Sequence, residues 1–300
     1  MIRVAWNADY AHALPEGHRF PMEKYELVPE QLVHEGTLSE SQFFSPTPLG
    51  DEAVHRVHDP EYWAKLKAGE LSRQEERRTG FPWSEALVQR EVMIMGGTVE
   101  CARHAFESGV ALNIAGGTHH AYRDRGEGFC LLNDFALAAA ALLEEGRIER
   151  ALIVDLDVHQ GNGTAKIFEN DSRVFTFSMH GAGNYPMHKE ASDLDVGLPD
   201  GIDDRHYLQL LDAHWPRLLD EVEPDMVFYQ CGVDILKTDK LGRLGVSSAG
   251  CAERDRRILE RCHTDGVPVV CSMGGGYSPD IWHIVEAHCN TFRIAHDLWG

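Results

Sequence analysis

Basic residues are scarce in this 300-residue chain. Lys and Arg number 28 against 48 Asp and Glu, a formal net charge of −20. That balance argues against direct nucleic-acid or anionic-membrane binding, either of which needs a basic surface. It favours the approach of cationic substrates, although good solubility is the plainer consequence. No apolar run is long enough to span a bilayer, and the start, Met1 to Asn7, has neither an apolar signal core nor a cleavage site. A soluble, cytoplasmic protein is expected. The seven cysteines include no Cys-x-x-Cys pair, which argues for reduced thiols and against a disulfide framework or structural zinc. The Gly-rich runs fit neither Gly-x-Gly-x-x-Gly nor a P-loop, so a nucleotide site is not expected. Linkers, repeats and low-complexity tracts are missing as well, and residues 1–300 read as a single domain. The Arg/Glu-rich stretch from Ser72 to Thr79 is expected to form a flexible loop.

What the chain does contain is a series of short apolar runs, each ending on polar or Gly-rich residues. Ala111–Ala115 runs into Gly116-Gly117-Thr118-His119-His120, and Ala151–Val154 into Asp155-Leu156-Asp157-Val158-His159. Val174–Phe177, Met226–Tyr229 and Val267–Cys271 end at Ser178-Met179-His180, Gln230 to Asp234, and Ser272 to Tyr277. Ile2–Trp6 opens the series. Helix-period segments cover 84–108, 134–145, 204–221, 249–263 and 279–296. Continuous apolar strands alternating with helices predict an α/β fold, a mainly parallel sheet with helices on both faces. Ligands of such sheets bind beyond the carboxyl ends of the strands.

The Asp155 to Gly163 stretch carries the most chemistry. If the extended backbone persists, residues 155, 157 and 159 share one face. Carboxylate and imidazole are ligand types for a catalytic divalent ion, and Asp234 is the natural third ligand beside Asp157 and His159. A lone Asp-x-His is more often a turn; three candidate ligands and a tandem histidine at equivalent strand ends reverse that reading. His119 and His120 then supply imidazoles for proton transfer. Tyr277 is either a turn anchor or a phenol donating to an oxyanion. Cys130, among apolar neighbours, reads as a buried neutral thiol, with Phe129 as a channel wall.

Gly116-Gly117-Thr118-His119-His120, Gly128-Phe129-Cys130, Asp155-Leu156-Asp157-Val158-His159, Gly232-Val233-Asp234 and Gly274-Gly275-Gly276-Tyr277, in this order and spacing, resemble the motifs of zinc-dependent histone deacetylase-like amidohydrolases, and the resemblance covers nearly the whole chain. His18-Arg19-Phe20-Pro21-Met22-x-Lys24-Tyr25 and His159-Gln160-Gly161-Asn162-Gly163 look most like class IV and its bacterial relatives. The resemblance implies an arginase/deacetylase-type fold and one Zn²⁺ held by Asp157, His159 and Asp234. It makes His120 the general base and then acid, and His119 its electrostatic partner. Asp155 and Asn162 would orient the two histidines, and Tyr277 would polarise the carbonyl. Gly128, Phe129, Tyr185 and Leu241 would line the acyl-lysine channel. A structural K⁺ is implied near Asp155 and Ser178, with the backbone around Asp157, His159 and Met179. The implied substrates are acyl-lysine in proteins or peptides, or acetylpolyamines and other small acyl-amines. A non-catalytic acyl-lysine reader is a weaker alternative. An arginase-like dimetal site is disfavoured because Gly161 stands where a further carboxylate is required.

Overall fold

A computed structural model describes all residues, 1–300. Eight strands form one sheet: β1 (Arg3–Ala5), β2 (Phe43–Phe44), β3 (Val110–Asn113), β4 (Ala151–Asp155), β5 (Val174–Gly181), β6 (Leu194–Leu198), β7 (Met226–Gln230) and β8 (Val269–Ser272). Their order is β2-β1-β3-β8-β7-β4-β5-β6, and every pairing is parallel. The helices are α1 (Lys24–His34), α2 (Asp51–Val54), α3 (Pro60–Ala68), α4 (Arg73–Thr79), α5 (Glu85–Ser108), α6 (Asp134–Glu144), α7 (Asn162–Phe168), α8 (Asp204–Val222), α9 (Ser248–Asp265) and α10 (Ile281–Trp299). This is the expected α/β architecture. Strands β3, β4, β7 and β8 are buried at every residue, because helices cover both faces of the sheet centre. No helix is long and apolar enough to cross a membrane.

Two local expectations need correction, and strands β2 and β6 were not anticipated. The segment Ser72–Thr79 is a capped helix: Ser72 and Glu75 form a capping box, and Gly80 closes α4 in the left-handed conformation. Strand β6 has no apolar run because it lies at the sheet edge, where Asp195 and Gly197 alternate with apolar residues. Finally, extended backbone does not persist through His159; β4 stops at Asp155. The Asp155 carboxylate accepts the Asp157 N–H at 3.1 Å, and the Asp157 carboxylate accepts the His159 N–H at 3.0 Å. Two successive Asx turns, rather than strand alternation, therefore aim these side chains.

Candidate active site

The polar residues expected at strand ends do converge beyond the carboxyl edge of the sheet. Asp157, His159 and Asp234 are buried, and one ligand atom from each lies within 4.8 Å of the others. His159 Nδ1 is 3.1 Å from Asp157 Oδ1 and 3.1 Å from Asp234 Oδ2. The second oxygen of each carboxylate is held by backbone: Asp157 Oδ2 accepts from Gly275 N at 3.1 Å, and Asp234 Oδ1 accepts from Val158 N at 2.9 Å. Burial, followed by the adjacent Asp157 charge, raises the Asp234 carboxyl to about 7. Two buried carboxylates and an imidazole, each with an atom facing a common point, form a donor set that a dication would neutralise. Zn²⁺ fits it. A second metal does not: a Cβ at Gly161 would lie 2.2 Å from Asp155 Oδ2, leaving no room there for another carboxylate.

Asp155 lies beside this group but faces away from it. Its Oδ2 is 2.6 Å from His119 Nδ1. The neighbouring imidazole has a neutral partner, because His120 Nδ1 donates to Asn162 Oδ1 at 2.6 Å. This fixes the His120 proton on Nδ1 and leaves Nε2 with a free lone pair. The two rings, 4.1 Å apart between centroids, consequently titrate in opposite directions. Burial lowers both, but Asp155 and then Asp157 override it at His119 and hold that ring up to about 9. Burial, reinforced by the charges of His119 and His159, drives His120 well below the ordinary imidazole range. The surroundings thus favour the protonated form of His119 and the neutral form of His120.

Tyr277 reaches the same space from the loop after β8. Its backbone N–H donates to Asp239 Oδ2 at 2.6 Å, and Asp239 Oδ1 accepts from Leu241 N and Gly242 N, both at 2.8 Å. Asp239 thereby ties the Tyr277 loop to the loop carrying Leu241. Phe129 packs on Tyr277 with centroids 5.8 Å apart and has φ +67°, an unusual backbone angle for a bulky residue. Two bonds from α4 hold that conformation: Gly128 N donates to Arg78 O at 3.0 Å and Phe129 N to Thr79 O at 2.6 Å. Gly128 itself has φ +52°, and a Cβ there would lie 2.7 Å from His120 Cδ2. The Tyr185 ring faces His120 edge-on with centroids 5.0 Å apart, and its hydroxyl donates to Glu127. Gly128, Phe129, Tyr185 and Leu241 all line an outer cavity of about 520 Å³ whose floor contains His120, His159 and Tyr277. A small inner space of about 30 Å³ continues past His119, His120 and Tyr277 towards Arg90 and Ile94. Cys130 lines that space as a buried thiol raised far above its ordinary pKa by desolvation.

The residues expected near K⁺ occupy two adjacent strands and the turn beyond. Asp155 and Ser178 are register partners on β4 and β5, and Met179 follows Ser178. The Ser178 hydroxyl is 2.9 Å from His180 Nδ1.

Several supporting residues escaped the sequence reading. Asp134, at the start of α6, accepts from Gly117 N, Thr118 N and the hydroxyls of Thr98, Thr118 and Ser272, fixing the loop before the histidines. Arg254 on α9 donates to the carbonyls of Leu156, Cys231 and Gly232, bracing both ligand-bearing loops from below. Lys24 is fully buried, donates to Gly274 O at 2.8 Å and lies 6.0 Å from the Tyr277 ring centroid. Tyr122 accepts from Asn162 Nδ2 at 3.0 Å and donates to Glu190 at 3.1 Å, which orients the Asn162 amide. Two had a sequence signal: Lys24 stands in the His18-to-Tyr25 motif, which gave it no role, and the Asn133-Asp134 cap ahead of an apolar helix indicates only a helix start.

Comparison with known proteins agrees with this geometry. The histone deacetylase domain family matches residues 18–292. The chain belongs to the histone deacetylase family. Histone deacetylase 2 of Arabidopsis thaliana is 33% identical over 269 residues, covering 87% of this chain and 70% of the plant protein. An uncharacterized protein of Picosynechococcus sp. is 46% identical over 297 residues, covering 99% of both chains. Among solved structures, a histone deacetylase homologue complexed with SAHA superposes with a TM-score of 0.86 at 23% identity, over 99% of this chain and 84% of that one. The protein is accordingly a hydrolase of the histone deacetylase family with the arginase/deacetylase-like fold.

Proposed function

We propose that this hydrolase cleaves the amide of N-ε-acyl-lysine, with a short acyl group, in a Zn²⁺-dependent reaction. The observation that carries the reading is a pair of adjacent histidines, one on the Asp155 carboxylate and one on the Asn162 amide, beside one buried Asp/His/Asp donor set. Asp157, His159 and Asp234 would hold Zn²⁺, which supplies Lewis acidity towards the amide carbonyl and makes water nucleophilic near neutral pH. Structural K⁺ would be held by the oxygens of Asp155 and Ser178 and the backbone of Asp157, His159 and Met179.

The proton chemistry belongs to the chain's own residues. His120 Nε2, its lone pair free, takes the proton from the attacking water. The imidazolium of His119 stabilises the negative charge that develops on the substrate, and the Tyr277 phenol donates to the carbonyl oxygen as it becomes an oxyanion. Burial raises that phenol well above its ordinary pKa, so it stays protonated and able to donate. Protonated His120 returns its proton to the departing amine, and the products are a carboxylate and free lysine. Phe129 and Tyr185 would flank the lysine methylenes in the outer cavity. The inner space, about 30 Å³, suits an acetyl methyl better than a long chain.

The test is one lysine peptide bearing acetyl, hexanoyl, decanoyl or myristoyl groups, assayed with Zn²⁺-loaded protein. The acetyl peptide should turn over fastest. Tyr277→Phe should lower kcat by roughly 10²-fold or more with zinc content unchanged. Equal loss of zinc and activity in that variant would remove the oxyanion role. Absence of Zn²⁺-dependent turnover on all four peptides would remove the deacylase reading.

A further inference from the structure

The outer cavity inverts the charge of the rest of the molecule. Acidic residues outnumber basic ones by 48 to 28 in the chain, yet none of the 14 residues lining this cavity is acidic and four are arginines: Arg19, Arg77, Arg78 and Arg243. They come from three separate segments, the stretch before α1, helix α4 and the loop before α9, so local composition does not account for the cluster. All four are exposed. Arg78 is 3.9 Å from Glu127, which is already closely engaged by Arg125 at 2.9 Å and by the Tyr185 hydroxyl. Arg243 is 3.6 Å from the exposed Asp200. Neither Arg19 nor Arg77 has a carboxylate within 4.0 Å; the Arg19 guanidinium instead lies 5.0 Å from the centre of the Phe129 ring. Four guanidiniums therefore ring the entrance above His120, His159 and Tyr277, with at most loose pairing.

We infer that the acyl-lysine substrate presents acidic side chains next to the modified lysine, and that this arginine rim selects it. The inference rests on the deacylase reading above and names the substrate class of that site. A guanidinium fork matches a carboxylate geometrically, and a single-signed rim at a cavity mouth concentrates ligands of opposite charge. A polycationic acyl-amine, which the net charge of −20 would attract in general, meets repulsion at the one place it must enter. Exposed apolar residues at the same rim, Met187 and Tyr185, give a polypeptide chain surface to lie on. A small free acyl-amine would leave them unused.

Three acetyl-lysine peptides of equal length, flanked by Asp/Glu, by Ser/Gly or by Lys/Arg, test this with the Zn²⁺-loaded protein. kcat/KM should fall in that order, with roughly tenfold between the extremes at low ionic strength and a smaller spread as salt screens the rim. The double variant Arg77→Glu/Arg243→Glu should invert the order. Salt dependence in the unmodified protein gives the same information without any variant. Equal rates on the three peptides, or faster turnover of the basic peptide or of N-acetylspermidine, would overturn the inference and leave deacylation standing. Turnover of none of these substrates would overturn the deacylase reading, and the inference with it.

Discussion

His120 Nδ1 lies 2.6 Å from Asn162 Oδ1, whereas its neighbour His119 lies 2.6 Å from a carboxylate, Asp155. The carboxylates of Asp155 and Asp157 outweigh burial at His119, whereas at His120 burial and the charges of His119 and His159 meet only an amide. The Tyr122 hydroxyl, held by Glu190, accepts from the Asn162 NH₂ and keeps the amide oxygen turned towards His120. The orientation of a single side-chain amide is thus set from outside the reacting centre.

Asn162→Asp should move the acidic limb of the pH–rate profile. With His120 as the proposed base, active only when neutral, kcat/KM should rise with pH through its pKa, which lies well below the ordinary value of 6.5. A carboxylate at 162 stabilises the imidazolium and raises that pKa. The variant should lose more activity near pH 6 than near pH 8, and Asn162→Ala should lose roughly 10²-fold at every pH. An acidic limb unchanged in Asn162→Asp would show that His120 is not the titrating base.

Metal binding should stabilise the fold through Asp157, His159 and Asp234. At free Zn²⁺ of about 100 times its dissociation constant the gain is about 2.7 kcal/mol, reversed by a chelator. A thermal melt with and without Zn²⁺ measures it. Asp234→Ala should abolish the shift, and an equal shift in that variant would place the metal elsewhere.

Lys24 should leave a signature in stability against pH. Burial lowers its ammonium from 10.5 to about 8, against the opposing pull of Asp234 and Asp157. The unfolded chain therefore binds more protons than the folded one between those values, and the Lys24 contribution to stability rises with pH across about 8 to 10.5. Lys24→Met lacks this titration. The stability of wild type minus that of Lys24→Met, from denaturant unfolding, should increase over that window. A flat difference would mean that Lys24 keeps its ordinary pKa in the fold.

Much of this was readable one segment at a time. The apolar runs at 151–154 and 226–229 could only be buried strands, and each deposits its polar end on the same sheet edge. Asp157, His159 and Asp234 follow from that rule because strand direction is a local property once the sheet is parallel. Where local pattern and local chemistry diverge, the sequence misleads. Ser72 to Thr79 looks like a solvated charge run, although Ser72 and Glu75 carry a capping box, and its backbone carbonyls hold Gly128 and Phe129.

The residue types, their order and the strand ends on which they sit were determined by the sequence alone, and they suffice for an α/β sheet with a buried Asp/His/Asp group able to hold a metal. What faces each imidazole and at what distance, how the Asx turns aim these side chains and what charge surrounds the entrance were decided by tertiary structure. Each of these depends on distances between segments remote in the chain, such as His120 to Asn162 or Arg19 to Arg77 and Arg243. Electrostatic interaction depends on separation and burial in space, and neither is written in the spacing of residues along the chain.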